Sequence, residues 1–220
     1  MINVFIDGKE GTTGLQIFER LGKRGDIRIS SLPEKLRKDL KARKEQINAA
    51  DIVFLCLPDA AARESVSLCE NKQVKIIDAS TAHRTDPSWA YGFPELSEEH
   101  RKKIAVSRRV AVPGCHASGF ISLVYPLVAG GIVSPDYPFV CHSVTGYSGG
   151  GKKMIAEYEA GGRDGALDSP RQYGTSQMHK HLPEMKTVCG LQCEPVFNPI
   201  VSDFYSGMCV AVPLYGRLLQ

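Results

Sequence analysis

Seven cysteines stand at positions 56, 69, 115, 141, 189, 193 and 209, and one has a setting that chemistry can use. Cys115 follows a proline-glycine turn and opens a helical stretch in Val112-Pro113-Gly114-Cys115-His116-Ala117-Ser118-Gly119. A helix N-terminus lowers the pKa of a thiol, and the thiolate is the nucleophile. Alone, a cysteine after such a turn is more often structural, so its company matters. The run His179-Lys180-His181-Leu182-Pro183-Glu184 supplies two imidazoles, either of which could act as general acid–base toward a thiolate or a carbonyl. If the run is extended, side chains at i and i+2 point to opposite faces, and only one histidine can face the cysteine. Metal binding is not expected, because no third ligand stands nearby in a recognisable spacing. The other cysteines, among them Cys56 and Cys209 in apolar runs, read as small core residues. His83, His100, His116 and His142 stand apart and receive no catalytic assignment.

A second constellation lies near the start. Gly8, Gly11 and Gly14 give G-x-x-G-x-x-G, a variant of the dinucleotide fingerprint, between an apolar strand-like run and a helical stretch. Glycines there let backbone N–H groups approach a pyrophosphate at a helix N-terminus, and Thr12 or Thr13 could cap that helix. The same triplet also serves as a tight turn needing positive φ. Where an NAD site would place an acidic residue after the second strand, this chain has Ser30 and Ser31, with Arg28, Lys35, Arg37 and Lys38 close by. That pattern favours NADP, whose ribose phosphate takes a cation or hydroxyl. The alternative is that these cations form the wet face of a helix.

Elements that could position these groups follow from periodicity. Residues 2–6, 27–30, 51–58 and 74–78 read as strands, and 13–21, 33–50 and 60–70 as helices. Runs apolar on both faces, alternating with helices, predict an α/β fold with a doubly wound, Rossmann-type parallel sheet. Residues 104–106 and 110–112 add two short strands before the Pro113-Gly114 break. We place the domain boundary there, with 1–114 binding nucleotide and 115–220 forming an α+β second domain. That second domain holds a helix over 117–128 and strands at 139–145, 196–201 and 208–214.

Lysine and arginine exceed aspartate and glutamate by 27 − 24 = +3, too little for a nucleic-acid footprint. An odd set of cysteines without a CxxC pair argues against a disulfide framework, and no apolar run reaches the roughly 18 residues of a membrane span. The expected setting is the cytoplasm, with small-molecule partners, no nucleic acid and no membrane.

Seven motifs in order carry a family resemblance: Gly8-Lys9-Glu10-Gly11-Thr12-Thr13-Gly14, Leu55-Cys56-Leu57-Pro58-Asp59, Asp78-Ala79-Ser80-Thr81-Ala82-His83-Arg84, Tyr91-Gly92-Phe93-Pro94-Glu95, Pro113-Gly114-Cys115, the 145–153 glycine-rich run, and His179 to Glu184. The chain resembles N-acetyl-γ-glutamyl-phosphate reductase of arginine biosynthesis, in its shorter, type 2 form. The resemblance implies a glyceraldehyde-3-phosphate-dehydrogenase-like second domain, an acyl phosphate substrate, a Cys115 thioester reduced by NADPH, and a homo-oligomer. It implies that His179 or His181 protonates the collapsing hemithioacetal while backbone donors near Cys115 hold its oxyanion. It places Ser80, with Thr81, near the cofactor and Arg84 on a substrate carboxylate or phosphate. Glycine amides of 147–153 could line the acyl phosphate pocket or simply turn. Family members often carry tyrosine at the position of His116, and they ordinarily continue past that of Gln220, so the second domain is expected to be incomplete at its C-terminal end. Alternatives are an aspartate-semialdehyde dehydrogenase-like enzyme, or a catalytically silent NADP-binding protein.

Overall fold

The chain opens with a strand that the rest of the first unit is built around. In the computed structural model, which describes residues 1–9 and 11–219 apart from the Thr12 side chain, β1 (Ile2–Asp7) runs into the glycine loop and α1 (Thr12–Leu21). Then come β2 (Ile27–Ser30), α2 (Leu40–Ala49), β3 (Ile52–Leu55), α3 (Asp59–Leu68), β4 (Lys75–Asp78), β5 (Ala90–Tyr91), α4 (Glu98–Val106) and β6 (Arg109–Ala111). The six strands form one sheet in the order β2-β1-β3-β4-β6-β5, parallel throughout. Val4, Phe5, Ile6, Val53, Leu55 and Ile76 are buried at 2% exposure or less, as expected of strands in a parallel sheet covered by helices. The chain forms two compact units, which meet in sequence between Pro113 and Gly114.

The second unit begins with α5 (Cys115–Ala129) and continues through β7 (Val140–Gly146), α6 (Gly151–Tyr158), β8 (Arg171–Gln172), α7 (Leu182–Cys189), β9 (Val196–Ser202) and β10 (Met208–Ala211). Its mixed sheet runs β10-β7-β9-β8, with β7 and β9 parallel and the outer pairs antiparallel. Along β9 the burial alternates, with Phe197, Pro199 and Val201 inward, the period of two that a sheet imposes. Phe120, Ile121 and Val124 of α5 and Met185 of α7 are fully buried. Gly119 lets α5 approach β10, because a Cβ there would sit 3.0 Å from the Cβ of Val210.

Four expectations are corrected. Residues 104–106 are the end of α4, not a strand; Ser97 caps that helix by accepting the His100 N–H, and Glu98 and Glu99 fill its first turn. Residues 33–50 do not form one helix: a single 3₁₀ turn covers Glu34–Leu36, and α2 starts only where Asp39 accepts the Ala42 N–H. The glycine-rich run after β7 turns, one of the two alternatives left open for it, but the turn is 3₁₀ and leads into a helix, α6, that was not expected. Cys193 is exposed, and so is Cys209 on the edge strand β10, so neither is a core residue. Among the described residues no helix is long and apolar enough to cross a membrane.

Candidate active site and nucleotide site

In the first unit the order of strands creates the site. The chain leaves β1 to form β2 on one side and returns to form β3 on the other, and ligands of such sheets bind beyond the carboxyl ends of the strands at that switch point. A cavity of about 470 Å³ lies there, lined by Asp7, Gly8 and Gly11 after β1, Ser31 after β2, Arg37 and Lys38, and Cys56 to Pro58 after β3. A smaller cavity of about 180 Å³ touches Gly11, Thr13, Cys56, Leu57 and Ala79.

The three glycines play different parts. Gly8 has φ +90°, and a Cβ there would lie 2.9 Å from the Cys56 carbonyl carbon and closer still to its oxygen. Gly14 packs α1 onto the loop, since its Cβ would fall 2.5 Å from the Gly8 carbonyl oxygen. Gly11 meets only ordinary contacts; it is the N-cap of α1, and its own N–H donates to the Gly8 carbonyl at 3.1 Å. The N-cap position belongs to Gly11, so Thr13 is a helical residue and not the cap; the Thr12 side chain lies outside the described residues, among which no side chain caps this helix. The amides of residues 12–14 open the helix, where backbone donors lack intrahelical acceptors and suit an anion.

Asp7, at the end of β1, is buried and accepts from Arg43 Nε and Nη2, each at 3.2 Å, and from the Ser65 hydroxyl at 2.7 Å. Arg43 also donates to Glu64 at 2.5 Å. Sequence reading missed this network, because its members sit on β1, α2 and α3. Ser80 lies at the sheet's carboxyl edge, and its hydroxyl donates to Asp78 at 2.7 Å. His83 Nδ1 reaches the same carboxylate at 2.7 Å, and its ring stacks on Trp89. Arg84 donates from Nε to the Val112 carbonyl at 2.9 Å and from Nη2 to that of Ala79 at 3.1 Å, so these two donors hold backbone.

In the second unit, Cys115 is the first residue of α5 and is exposed. The Gly114 N–H before it donates to Glu184 Oε1 at 2.8 Å, and that carboxylate is 1% exposed. Burial pushes Cys141 and Cys189 up to about 12. Burial first, then Asp78 and Asp7, pushes Cys56 up to about 11. Such thiols stay protonated, unlike a usable nucleophile.

Around the histidine run the segment is not extended. His181 is the N-cap of α7, with its backbone in αR geometry. The rings of His179 and His181 are 4.7 Å apart and lie 5.7 and 5.6 Å from that of His116. His116 is therefore not isolated. Its Nδ1 is 2.7 Å from the Ser143 hydroxyl and its Nε2 is 2.8 Å from that of Tyr173. Burial, then His179, lowers His116 to about 4. Burial, then the charge of Cys115, raises Tyr173 to about 12. His179 is lowered by burial and by Lys180; its Nδ1 accepts the His181 N–H at 3.2 Å, which puts the proton of the neutral ring on Nε2.

A doubly wound nucleotide-binding unit followed by an α+β unit that carries an exposed, helix-initial thiol and a histidine cluster is the architecture of a nucleotide-dependent oxidoreductase. Family models agree: residues 22–104 match the semialdehyde dehydrogenase NAD binding domain, and residues 115–217 the semialdehyde dehydrogenase dimerisation domain. An N-acetyl-gamma-glutamyl-phosphate reductase of Chelativorans sp. is 52% identical over 96% of this chain and 67% of its own length. One from Pseudomonas putida is 49% identical over 98% of this chain and 69% of its own. The chain belongs to the N-acetyl-gamma-glutamyl-phosphate reductase family, and it spans about two thirds of the length of these curated relatives. Aspartate semialdehyde dehydrogenase II from Vibrio cholerae shares the fold, with a TM-score of 0.68 at 15% identity over 96% of this chain and 73% of that one.

Proposed function

We propose that this chain reduces N-acetyl-L-glutamyl 5-phosphate to N-acetyl-L-glutamate 5-semialdehyde and phosphate, with Cys115 as nucleophile. The observation that carries it is the exposed thiol at the start of α5, next in sequence to His116, whose ring packs with those of His179 and His181. Cys115 forms the carbon–sulfur bond of a thioester while the carbon–oxygen bond to phosphate breaks. NADPH, when bound, supplies the hydride that turns the thioester into a hemithioacetal. Collapse of that species releases the aldehyde and returns the electron pair to the Cys115 sulfur. The pair His179 and His181 provides the acid–base that manages the thiol proton and steadies the oxyanion. Glu184 holds the Gly114 amide and so fixes the turn that presents Cys115.

For the nucleotide, the chain's own groups fit a dinucleotide phosphate: Gly8 and Gly14 permit the close turn, the amides of residues 12–14 face a pyrophosphate, and Thr13 lines the adjacent cavity. Ser31, Arg37 and Lys38 in the cavity wall suit a 2′-phosphate. Ser80 and Arg84 act behind these groups by ordering the loop after β4. The second unit pairs two copies of the chain. The reaction belongs in the cytoplasm, where the seven free cysteines remain reduced.

Phosphate-dependent oxidation of N-acetylglutamate semialdehyde by NADP, measured beside that of aspartate semialdehyde, tests the reading. Faster turnover of the acetylated substrate is expected, and faster turnover of aspartate semialdehyde overturns it.

A further inference from the structure

His116 follows the nucleophile on α5, and its side chain is 4% exposed. Ser143 on β7 and Tyr173 just past β8 bind its two nitrogens at 2.7 and 2.8 Å. Phe197 on β9 closes one side at a ring distance of 5.2 Å, edge to face. His179 and His181 pack on the same ring. Three imidazoles thus cluster, His116 and His181 buried and His179 half-buried, and two of them belong to the run assigned to acid–base work.

We propose that His116 is a positioning residue for the acid–base pair: Ser143 and Tyr173 fix its ring, and the fixed ring sets the orientation of His179 and His181. The inference rests on the roles given above to Cys115 and that pair. A neutral imidazole has one donor and one acceptor, which two hydroxyls satisfy in full. An imidazolium would make both hydroxyls accept and turn their own protons away into buried space, at a cost. Lowering of His116 to about 4 by burial agrees with that geometry. Tyr173, raised to about 12, likewise keeps its proton. The titratable and charged groups around His116 are Cys115 on α5, Tyr173, and His179, Lys180 and His181 before α7, with Glu184 on α7 bound to Gly114. Neither His116 nor Tyr173 competes for the catalytic proton near neutral pH, so it resides on the pair.

His116→Phe keeps a ring against Phe197 and deletes both hydrogen bonds. In the full chain, two readouts are followed from pH 5 to 9: kcat and KM for the reductase reaction, and the rate of Cys115 alkylation by iodoacetamide. The expected result for His116→Phe is a kcat lower by roughly tenfold to a hundredfold, as misplaced catalytic groups cause. KM should stay within about twofold, and the acidic limbs of both profiles should move by about one pH unit. His116→Gln, which restores one bond, should recover part of the loss. If His116→Phe does not fold, Tyr173→Phe and Ser143→Ala each remove one bond and should show the same shifts at smaller size. Unmoved pH limbs, whatever happens to kcat, overturn the proposal and leave His116 as packing. If the parent chain shows no reductase turnover, the functional reading fails instead, while the alkylation profiles still decide the role of His116.

Discussion

Gly8→Ala and Gly11→Ala separate the conformational and ligand-binding roles of the glycine loop. At Gly8 an alanine must adopt φ +90°, a region that costs a side-chain-bearing residue about 1–3 kcal/mol. Its Cβ would also lie 2.9 Å from the Cys56 carbonyl carbon. That carbonyl cannot easily retreat, because the Cys56 N–H is tied to the Asp7 carbonyl at 2.8 Å beside the β1–β3 pairing. Strain and overpacking together imply a loss of about 2–5 kcal/mol. For a unit of this size that is a fall in melting temperature of roughly 8–20 °C. At Gly11 the backbone is extended, and a Cβ would stand 3.5 Å from its nearest neighbour, so melting should change by no more than about 2 °C. Any loss in Gly11→Ala should then appear in nucleotide affinity, because the methyl stands where a phosphate would approach. Thermal melts without nucleotide, paired with NADP titrations, separate the two effects. A Gly8→Ala chain that melts with the parent, or a Gly11→Ala chain that melts as low as Gly8→Ala, would refute the reasoning.

Other consequences are equally specific. Arg43→Met should destabilise the chain by about 3–5 kcal/mol in urea, because Asp7 is left buried without its cation; adding Asp7→Leu should recover much of that, and no recovery would contradict the pairing. Arg37→Met with Lys38→Met should weaken NADP binding roughly tenfold to a hundredfold in titrations and leave NAD unchanged; equal loss for both nucleotides would remove these residues from the 2′-phosphate site. Stability should fall in acid through His116. Its folded pKa, about 4, lies below the ordinary 6.5, so below pH 6.5 the unfolded chain takes a proton that the folded chain refuses. The stability present above pH 6.5 is therefore lost as pH falls toward 4, by about 3 kcal/mol. His179, also lowered, acts in the same direction. Urea unfolding at pH 7.5 and 4.5 should show a smaller drop for His116→Phe than for the parent, and parallel drops would contradict the assignment.

The parallel sheet was legible because its strands are short apolar runs punctuated by Asp7-Gly8, Pro58-Asp59 and Asp78-Ala79, and glycines mark the first turn. Less legible were elements whose signal is local capping. The apolar end of α4 mimics a strand over 104–106, although Val106 is 82% exposed; the cue was Ser97 followed by two glutamates. In α6 the opening glycine hid a helix whose spacing of Met154, Ile155 and Tyr158 could have revealed it. Cys115, His179 and His181 stood out by residue type and neighbours. His116 did not, because its partners Ser143 and Tyr173 are 27 and 57 positions away. Glu184 and Gly114 are 70 apart. Sequence spacing carries nothing about such pairs, since only the folded sheet brings them together. Nor does spacing announce that Ser80 bonds to Asp78 and Arg84 to the carbonyls of Ala79 and Val112 in and beyond the loop after β4.

The central claim is a covalent acyl group on Cys115, and intact-mass spectrometry with peptide mapping tests it most directly. Incubating the chain with N-acetylglutamate semialdehyde and NADP, without phosphate, lets oxidation proceed to the thioester and stop there. One N-acetylglutamyl group should appear on the peptide containing Cys115, vanish when phosphate is added, and be absent from Cys115→Ala, which should still bind NADP. An adduct on another cysteine, or turnover by Cys115→Ala, would contradict the account.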